Sequence, residues 1–125
     1  MVLLDTHVLI WMLFDDSRLS KRALETIEKE DCCISVVSIW EMALKMSSNK
    51  MKLAKSLSEI VLECDEMGID IAGITAEDCL NVQNLPWLHK DPFDRMTIAQ
   101  AITENIPLIT HDRNIHRYDA VSCIW

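Results

Sequence analysis

Short apolar segments alternate with helical segments along this chain, and their order constrains the fold more than any other feature of the sequence. Apolar runs bounded by turn residues predict strands at residues 2–4, 32–37, 69–71, 107–110 and 121–124. Helical periodicity predicts helices at 7–14, after a Ser20 cap, from Ser38 onwards, at 57–67, at 75–82 and at 93–104. This alternation is typical of an α/β fold with a mainly parallel central sheet flanked by helices. A length of 125 residues predicts one domain spanning 1–125.

Capping residues mark three helix boundaries in the sequence. Ser38 and Glu41 have the Ser-x-x-Glu spacing of a capping box, which predicts a helix start. Asp91 followed by Pro92 predicts an N-cap and a first-turn proline for the helix at 93–104. Gly68 is a natural stop for the helical pattern that precedes it.

Composition excludes several functional classes. Only 2 glycines are present, which rules out the three-glycine dinucleotide fingerprint. The net charge of -8 argues against a protein that coats nucleic acid by bulk charge, although a metal-screened site stays compatible with it. No apolar run has the length of a membrane span, and the 5 cysteines form no C-x-x-C pair. We therefore expect a cytoplasmic protein without a membrane partner or a cysteine zinc site.

Four acidic residues fall at one predicted edge of the sheet. Asp5 and Asp112 each follow an apolar strand, whereas Glu41 and Asp94 lie in the first turns of helices that start at the same edge. Ligands of open parallel sheets bind beyond the carboxyl ends of the strands. Clustered carboxylates repel one another unless a cation is present, and an oxygen-only ligand set suits Mg²⁺ or Mn²⁺. Such ions serve phosphodiester hydrolysis.

Each acid taken alone also has a structural explanation. Glu41 can complete the capping box with Ser38, and Asp94 can do the same for the helix that starts after Asp91. Asp5 and Asp112 can be turn residues. Caps and turns are commoner than metal ligands, but four acids at one predicted edge favour a site.

Four sequence segments together resemble PIN-domain nucleases, and most closely VapC-like toxins. The resemblance runs from the first predicted strand to the last. The segments are Asp5-Thr6, Ser38-Ile39-Trp40-Glu41-Met42, His89-Lys90-Asp91-Pro92-Phe93-Asp94-Arg95 with Ile98-Ala99-Gln100-Ala101, and Leu108-Ile109-Thr110-His111-Asp112.

The resemblance implies a metal-dependent endoribonuclease that leaves a 5′-phosphate and a 3′-hydroxyl. It implies the toxin of a toxin–antitoxin pair, with RNA as substrate (tRNA is one candidate), a small antitoxin as partner and a homodimer as the assembly. Asp5, Glu41, Asp94 and Asp112 match the acids that hold one or two Mg²⁺ or Mn²⁺ ions. Asp91 matches either a further ligand or a helix cap. Supporting positions beside the pocket are Thr6, Ser38, Arg95 and Thr110. Arg95 is expected either to pair with an acid or to reach a phosphate, and the ion pair is favoured slightly.

Two other groups of residues have open interpretations. Lysines occur without any acid between residues 42 and 58, and they favour an RNA-tracking surface and a solvated turn about equally. They are Lys45, Lys50, Lys52 and Lys55. Trp11 and Trp40 fit either core packing or self-association, whereas Trp87 and Trp125 are expected to be buried in the core or at an edge.

Three rival functions differ from a toxin. A housekeeping PIN-type nuclease would share the pocket but lack an antitoxin. A phospho-accepting receiver domain needs an acidic pair after the first strand and a lysine after a late strand, and the sequence offers neither at Asp5-Thr6 or Thr110-His111-Asp112. In a catalytically inert scaffold the four acids would only cap and turn.

Overall fold

The structure, a computed structural model, describes residues 1–125. Five strands form one sheet: β1 (Val2–Leu4), β2 (Cys32–Ser35), β3 (Asp70–Ala72), β4 (Leu108–Ile109) and β5 (Cys123–Ile124). Seven helices flank it: α1 (Thr6–Phe14), α2 (Lys21–Lys29), α3 (Val36–Ser47), α4 (Leu57–Glu66), α5 (Ala76–Asn84), α6 (Pro92–Glu104) and α7 (Arg113–His116). The strand order is β3-β2-β1-β4-β5, and every pair is parallel. The α/β prediction is confirmed, and β2, β4 and β5 are shorter than expected.

Strand order also excludes the receiver alternative. The first strand pairs with β2 on one side and with β4 on the other. The chain adds β2 and β3 on one side of β1 and then crosses over to add β4 and β5 on the opposite side. Receiver domains have the order 2-1-3-4-5, whereas this sheet has the order 3-2-1-4-5. The crossover opens a crevice at the carboxyl ends of β1 and β4, which is where ligands bind in such sheets.

The core lies on both faces of the sheet because strand side chains alternate between faces. Val2 and Leu4 of β1 pack with one hydrophobic cluster, which includes residues of α1, α2, α3 and α4. Leu3 packs with the other cluster, which includes Ile98 of α6 and Ile115 of α7. Burial on both faces explains why the central strands β1 and β4 are continuous apolar runs.

The expected capping box at Ser38 is wrong. Helix α3 begins at Val36, and Ser35 is its N-cap, since the Ser35 hydroxyl accepts a hydrogen bond from the Val37 amide at 3.0 Å. Ser38 therefore lies inside the helix. Its hydroxyl oxygen accepts a hydrogen bond from Thr6 Oγ1 at 2.7 Å, which ties α3 to α1.

Other boundary predictions agree more closely with the structure. Ser20 and Asp91 cap α2 and α6 as expected, and Gly68 follows α4 with a φ of 73°. The predicted burial of Trp87 is wrong, because this side chain is 78% exposed. No helix combines the length and apolar character needed to cross a membrane.

Candidate active site

A cavity of about 480 Å³ opens at the crevice between β1 and β4. Asp5 directly follows β1, and Asp112 follows β4 after Thr110 and His111. The helices α3 and α6 bring Glu41 and Asp94 to the same cavity. All four sequence-predicted acids therefore line one cavity, and Asp91 lines it as well.

Asp5 is held at the centre of the site by two hydrogen bonds. Its Oδ1 accepts from the Thr6 amide at 2.7 Å, and its Oδ2 accepts from Thr110 Oγ1 at 2.7 Å. The residue is only 6% exposed, and this burial raises the pKa of its carboxyl above the ordinary value. The Thr110 hydroxyl also accepts from the Asp112 amide at 3.1 Å, so one side chain links two of the acids.

Glu41 is buried and forms an ion pair within its own helix. Lys45, one turn further along α3, donates to Glu41 Oε2 at 2.6 Å. This hydrogen bond is the largest cause that raises the pKa of Lys45. The pair fixes the carboxylate at the cavity wall, whereas the capping role expected for Glu41 is not what the structure shows.

Asp94 and Asp112 meet at a histidine. His89 Nε2 lies 2.6 Å from Asp94 Oδ2 and 3.6 Å from Asp112 Oδ2. Burial, together with the charge of Asp5, raises the pKa of Asp94 to about 7, while the His89 contact opposes this rise. The three residues offer ligand atoms within 4.8 Å of one another. His89 was not singled out from the sequence as a site residue, and its only signal there is its place two positions before Asp91.

Arg95 does not pair with an acid, so that expectation is wrong. The residue is 4% exposed, and its guanidinium donates to backbone carbonyls near the end of α5, at 3.2 Å for both Val82 and Leu85 and at 3.0 Å for Pro86. The carbonyl end of a helix attracts a cation, which explains this position. Another bond, at 3.3 Å, reaches the His89 carbonyl, so Arg95 holds the loop that carries His89.

Asp91 caps a helix and also lines the cavity, whereas the sequence left helix cap and metal ligand as alternatives. Its Oδ1 accepts a hydrogen bond from the Asp94 amide at 3.0 Å, which makes it the N-cap of α6. The same side chain lines the cavity. A cap uses one carboxylate oxygen, so the second oxygen stays available to a ligand in the cavity.

The four lysines do not form one surface at the cavity. Only Lys45 lines it, and Lys55 instead donates to Glu63 at 2.7 Å. Lys50 and Lys52 are exposed beyond the end of α3. The remaining cations at the cavity are Arg18 and Arg113, which sequence reasoning had not selected.

The residues present fit a divalent cation. Five carboxylates line the cavity, and the raised pKa values of Asp5 and Asp94 show that the ion-free site disfavours their charged forms. A bound divalent cation would instead favour the charged forms of both carboxyl groups. Carboxylate oxygens are the ligands that suit Mg²⁺ or Mn²⁺, and the His89 imidazole orients one of them at Asp94.

This chain is similar in sequence to known proteins of one family. The sequence profile of the PIN domain matches residues 2–121. The chain is 30% identical over 128 residues to Ribonuclease VapC22 of Mycobacterium tuberculosis, a match that covers 99% of this chain and 98% of that protein.

Similar folds occur in solved toxin–antitoxin complexes. One is VapBC2 from Rickettsia felis bound to a promoter DNA fragment, with a TM-score of 0.72 at 16% identity, covering 98% of this chain and 97% of that chain. Another is VapBC-1 from nontypeable Haemophilus influenzae, with a TM-score of 0.71 at 18% identity, covering 98% and 96%. At these identities the likeness shows the fold.

Proposed function

The chain belongs to the PIN-domain family, and on that basis we propose that it is a metal-dependent endoribonuclease and the toxin of a toxin–antitoxin pair. The observation that carries the proposal is the convergence of Asp5, Glu41, Asp94 and Asp112 on one cavity at the crevice between β1 and β4. The activity belongs in the cytoplasm, where its RNA substrate is found.

The proposed ion site uses the carboxylates at the crevice. Asp5, Asp94 and Asp112 would hold Mg²⁺ or Mn²⁺, with Glu41 and Asp91 completing the acidic lining. A bound ion of this kind lowers the pKa of water and offsets charge on phosphate oxygens. The Asp5 carboxylate is already oriented by Thr110 and by the Thr6 amide, so the chain supplies a preorganised ligand.

Neighbouring side chains orient the reaction. Lys45 occupies Oε2 of Glu41 and leaves Oε1 free of hydrogen bonds, so that this oxygen can accept the proton of the attacking water. His89 fixes one oxygen of Asp94 at 2.6 Å. Water attacks phosphorus in line and gives its proton to Glu41, while the bond to the 3′ oxygen breaks. The departing oxygen takes a proton from solvent water, so the products carry a 5′-phosphate and a 3′-hydroxyl.

A cleavage assay tests the enzymatic proposal. Purified protein should cleave RNA with Mg²⁺ or Mn²⁺ and stop when EDTA is added. An Asp5→Asn, Asp94→Asn double variant should lose at least about a hundredfold in rate, because two ligands are removed. Asp65→Asn is the matched control, since Asp65 is exposed on α4 and does not line the cavity. Equal cleavage by the double variant and the control would show that the proposal is wrong.

The toxin role needs a cellular test. Likeness to the fold of VapBC complexes supports a small antitoxin partner, and we propose that this partner covers the cavity. Induced expression of the chain alone should arrest growth, and co-expression of a small protein encoded beside it should restore growth. Sequencing of RNA ends after induction would identify the substrate and show whether it is a tRNA. Growth without arrest, together with RNA cleavage in vitro, would favour a housekeeping nuclease instead.

A further inference from the structure

The cavity has a second lining that the proposed chemistry does not use. Besides the carboxylates and Lys45, it is lined by two arginines and by aromatic rings. We call four of these residues the Trp11 wall: Trp11, Arg18, His111 and Arg113. Trp11 is half-buried, and the other three are exposed.

The Trp11 wall is a packed surface. The Arg18 guanidinium carbon lies 4.5 Å from the centre of the Trp11 ring, in cation–π contact. The His111 ring lies 5.7 Å from Trp11 at an angle of 72°, and Trp125 supports both rings at 5.9 and 5.1 Å. Packing of this kind fixes the rings before any ligand arrives, which lowers the entropy cost of binding.

Both arginines of the wall are free of ion pairs and side-chain hydrogen bonds. The ion pairs of the structure include Lys45 with Glu41 and Lys55 with Glu63, but neither Arg18 nor Arg113 takes part in one. Five carboxylates line the same cavity, yet none of them forms an ion pair with Arg18 or Arg113. A free guanidinium presents a planar face for stacking and N–H donors for a phosphate.

These features together match an unpaired nucleotide. Single-stranded RNA is bound by aromatic rings and arginine planes that stack on its bases, and by cations along its backbone. We propose that the Trp11 wall binds an unpaired nucleotide next to the phosphate that is cleaved, with the base stacked on the Arg18–Trp11 pair and a backbone phosphate on Arg113. This inference rests on the proposed function, because it takes the carboxylates as the cleavage centre.

The assignment has a consequence for substrate choice. A base inside a duplex is already stacked between its neighbours and cannot lie on the wall without leaving the helix. The wall therefore selects loops and single-stranded segments over duplex RNA. RNA bound at the Trp11 wall would not contact Lys50, Lys52 and Lys55, because these lysines do not line the cavity.

Binding can be measured without cleavage in an Asp5→Asn background with Mg²⁺ present. The probe is a short fluorescein-labelled single-stranded RNA, read by anisotropy, with the matching duplex as a second probe. Trp11→Leu and Arg18→Gln should each weaken single-strand binding about 5- to 50-fold and duplex binding much less. Arg113→Gln should lower the slope of log affinity against log salt by about 0.7, the value for one phosphate contact.

Matched controls come from exposed cations outside the cavity. Arg22→Gln on α2 and Lys50→Gln should leave the affinity within about twofold, since neither residue lines the cavity. Quenching of tryptophan fluorescence by saturating RNA should also fall in Trp11→Leu. Arg18 and Arg113 are exposed, so their variants stay informative even if Trp11→Leu unfolds the chain.

The results separate this inference from the proposed function. If unsubstituted protein cleaves RNA but Arg18→Gln and Arg113→Gln bind single strands as tightly as the controls, the wall assignment is overturned and the nuclease stands. If those variants lose affinity only for a co-expressed antitoxin, the wall is a protein contact and the assignment is overturned as well. If the unsubstituted chain neither binds nor cleaves RNA, both proposals fail.

Discussion

Asp94 carries the clearest electrostatic signature of the site. Its pKa is raised to about 7, chiefly by burial and next by the charge of Asp5. The same carboxyl in an unfolded chain has a pKa near 3.8. The ion-free folded protein therefore binds more protons than the unfolded chain between these values, and its stability must fall as pH rises through that window.

We predict that the unfolding free energy of ion-free protein falls by on the order of 2–4 kcal/mol between about pH 4 and pH 7.5. Urea denaturation in EDTA measures this. Asp94→Asn should reduce the loss and raise the ion-free stability at the upper pH, because the buried charge is gone. Asp5, whose pKa is also raised, should keep part of the pH dependence. A slope in Asp94→Asn equal to that of Asp65→Asn would contradict the assignment.

We predict a second residue-scale effect for His89→Gln. Loss of the 2.6 Å contact leaves one oxygen of Asp94 unoriented, and loss of such a supporting contact costs about 10- to 100-fold in metal affinity. Isothermal titration with Mn²⁺ measures the affinity directly, and the cleavage rate should fall with it. Lys90→Gln, the exposed neighbour, is the control. Unchanged Mn²⁺ affinity in His89→Gln would exclude this role.

At the scale of elements, the loop between α5 and α6 depends on one buried arginine. The guanidinium of Arg95 bonds carbonyls of Val82, Leu85 and Pro86 and stacks over the Trp87 ring at 4.0 Å. It also donates to Tyr118 Oη at 3.2 Å, which in turn accepts from the His89 amide at 3.0 Å. The loop is therefore tied to the core through polar contacts.

We predict that Arg95→Gln lowers the unfolding free energy by on the order of 2–4 kcal/mol, since several carbonyls lose their partner. Chemical denaturation measures the change. Arg22→Gln on the surface of α2 should stay within about 0.5 kcal/mol of the parent. In protein that remains folded, Mn²⁺ affinity should fall as well, because the loop carries His89. An unchanged midpoint would show that the arginine does not anchor the loop.

Local patterns predicted helix caps only in part. The Ser-x-x-Glu spacing occurs at Ser38 and at Ser56, and of these two the structure forms a capping box at Ser56 with Glu59 but none at Ser38. The strand β2 ends at Ser35, before the predicted end at residue 37, and Ser35 is therefore the N-cap of α3 instead of Ser38. Strand ends are set by pairing with neighbouring strands, which are distant in sequence, so a four-residue pattern cannot decide between the two serines.

At the scale of the whole molecule, one apolar face is left uncovered. Trp40 is 56% exposed, Ile74 is 44% exposed and Trp87 is 78% exposed, and all three line a cavity of about 320 Å³. Exposed patches of this kind mark association sites. The face is formed by residues of α3, of the segment before α5 and of the loop before α6.

We predict that this face joins two copies of the chain, in agreement with the homodimer expected from the family resemblance. Light scattering after size exclusion should give the mass of a dimer at micromolar concentration. Trp87→Asp should shift the protein to monomer, because a charge in an apolar interface is costly. Leu62→Asp, an equally hydrophobic exposed position on α4, is the control. A monomer in the unsubstituted protein would exclude the prediction.

Sequence order predicted the class of fold and the meeting of Asp5 with Asp112, because acids that follow neighbouring parallel strands must share an edge. It did not predict His89, whose contact depends on the path of the loop that Arg95 holds. The sequence also did not predict which cations line the cavity. Lys55 lies in the acid-free lysine segment that follows Glu41, but in the structure it pairs with Glu63. Contacts between loops are decided by the packed core and have no local signature.

The hydrogen bond between Thr110 and Asp5 joins residues 105 positions apart. The Asp112 amide donates to the same hydroxyl, so the two acids are fixed relative to each other only when Thr110 has reached β1. On the ribosome, Asp5 therefore waits without this partner until residues 110–112 have left the exit tunnel. A frameshift at any codon between 5 and 112 removes Asp112 from the cavity.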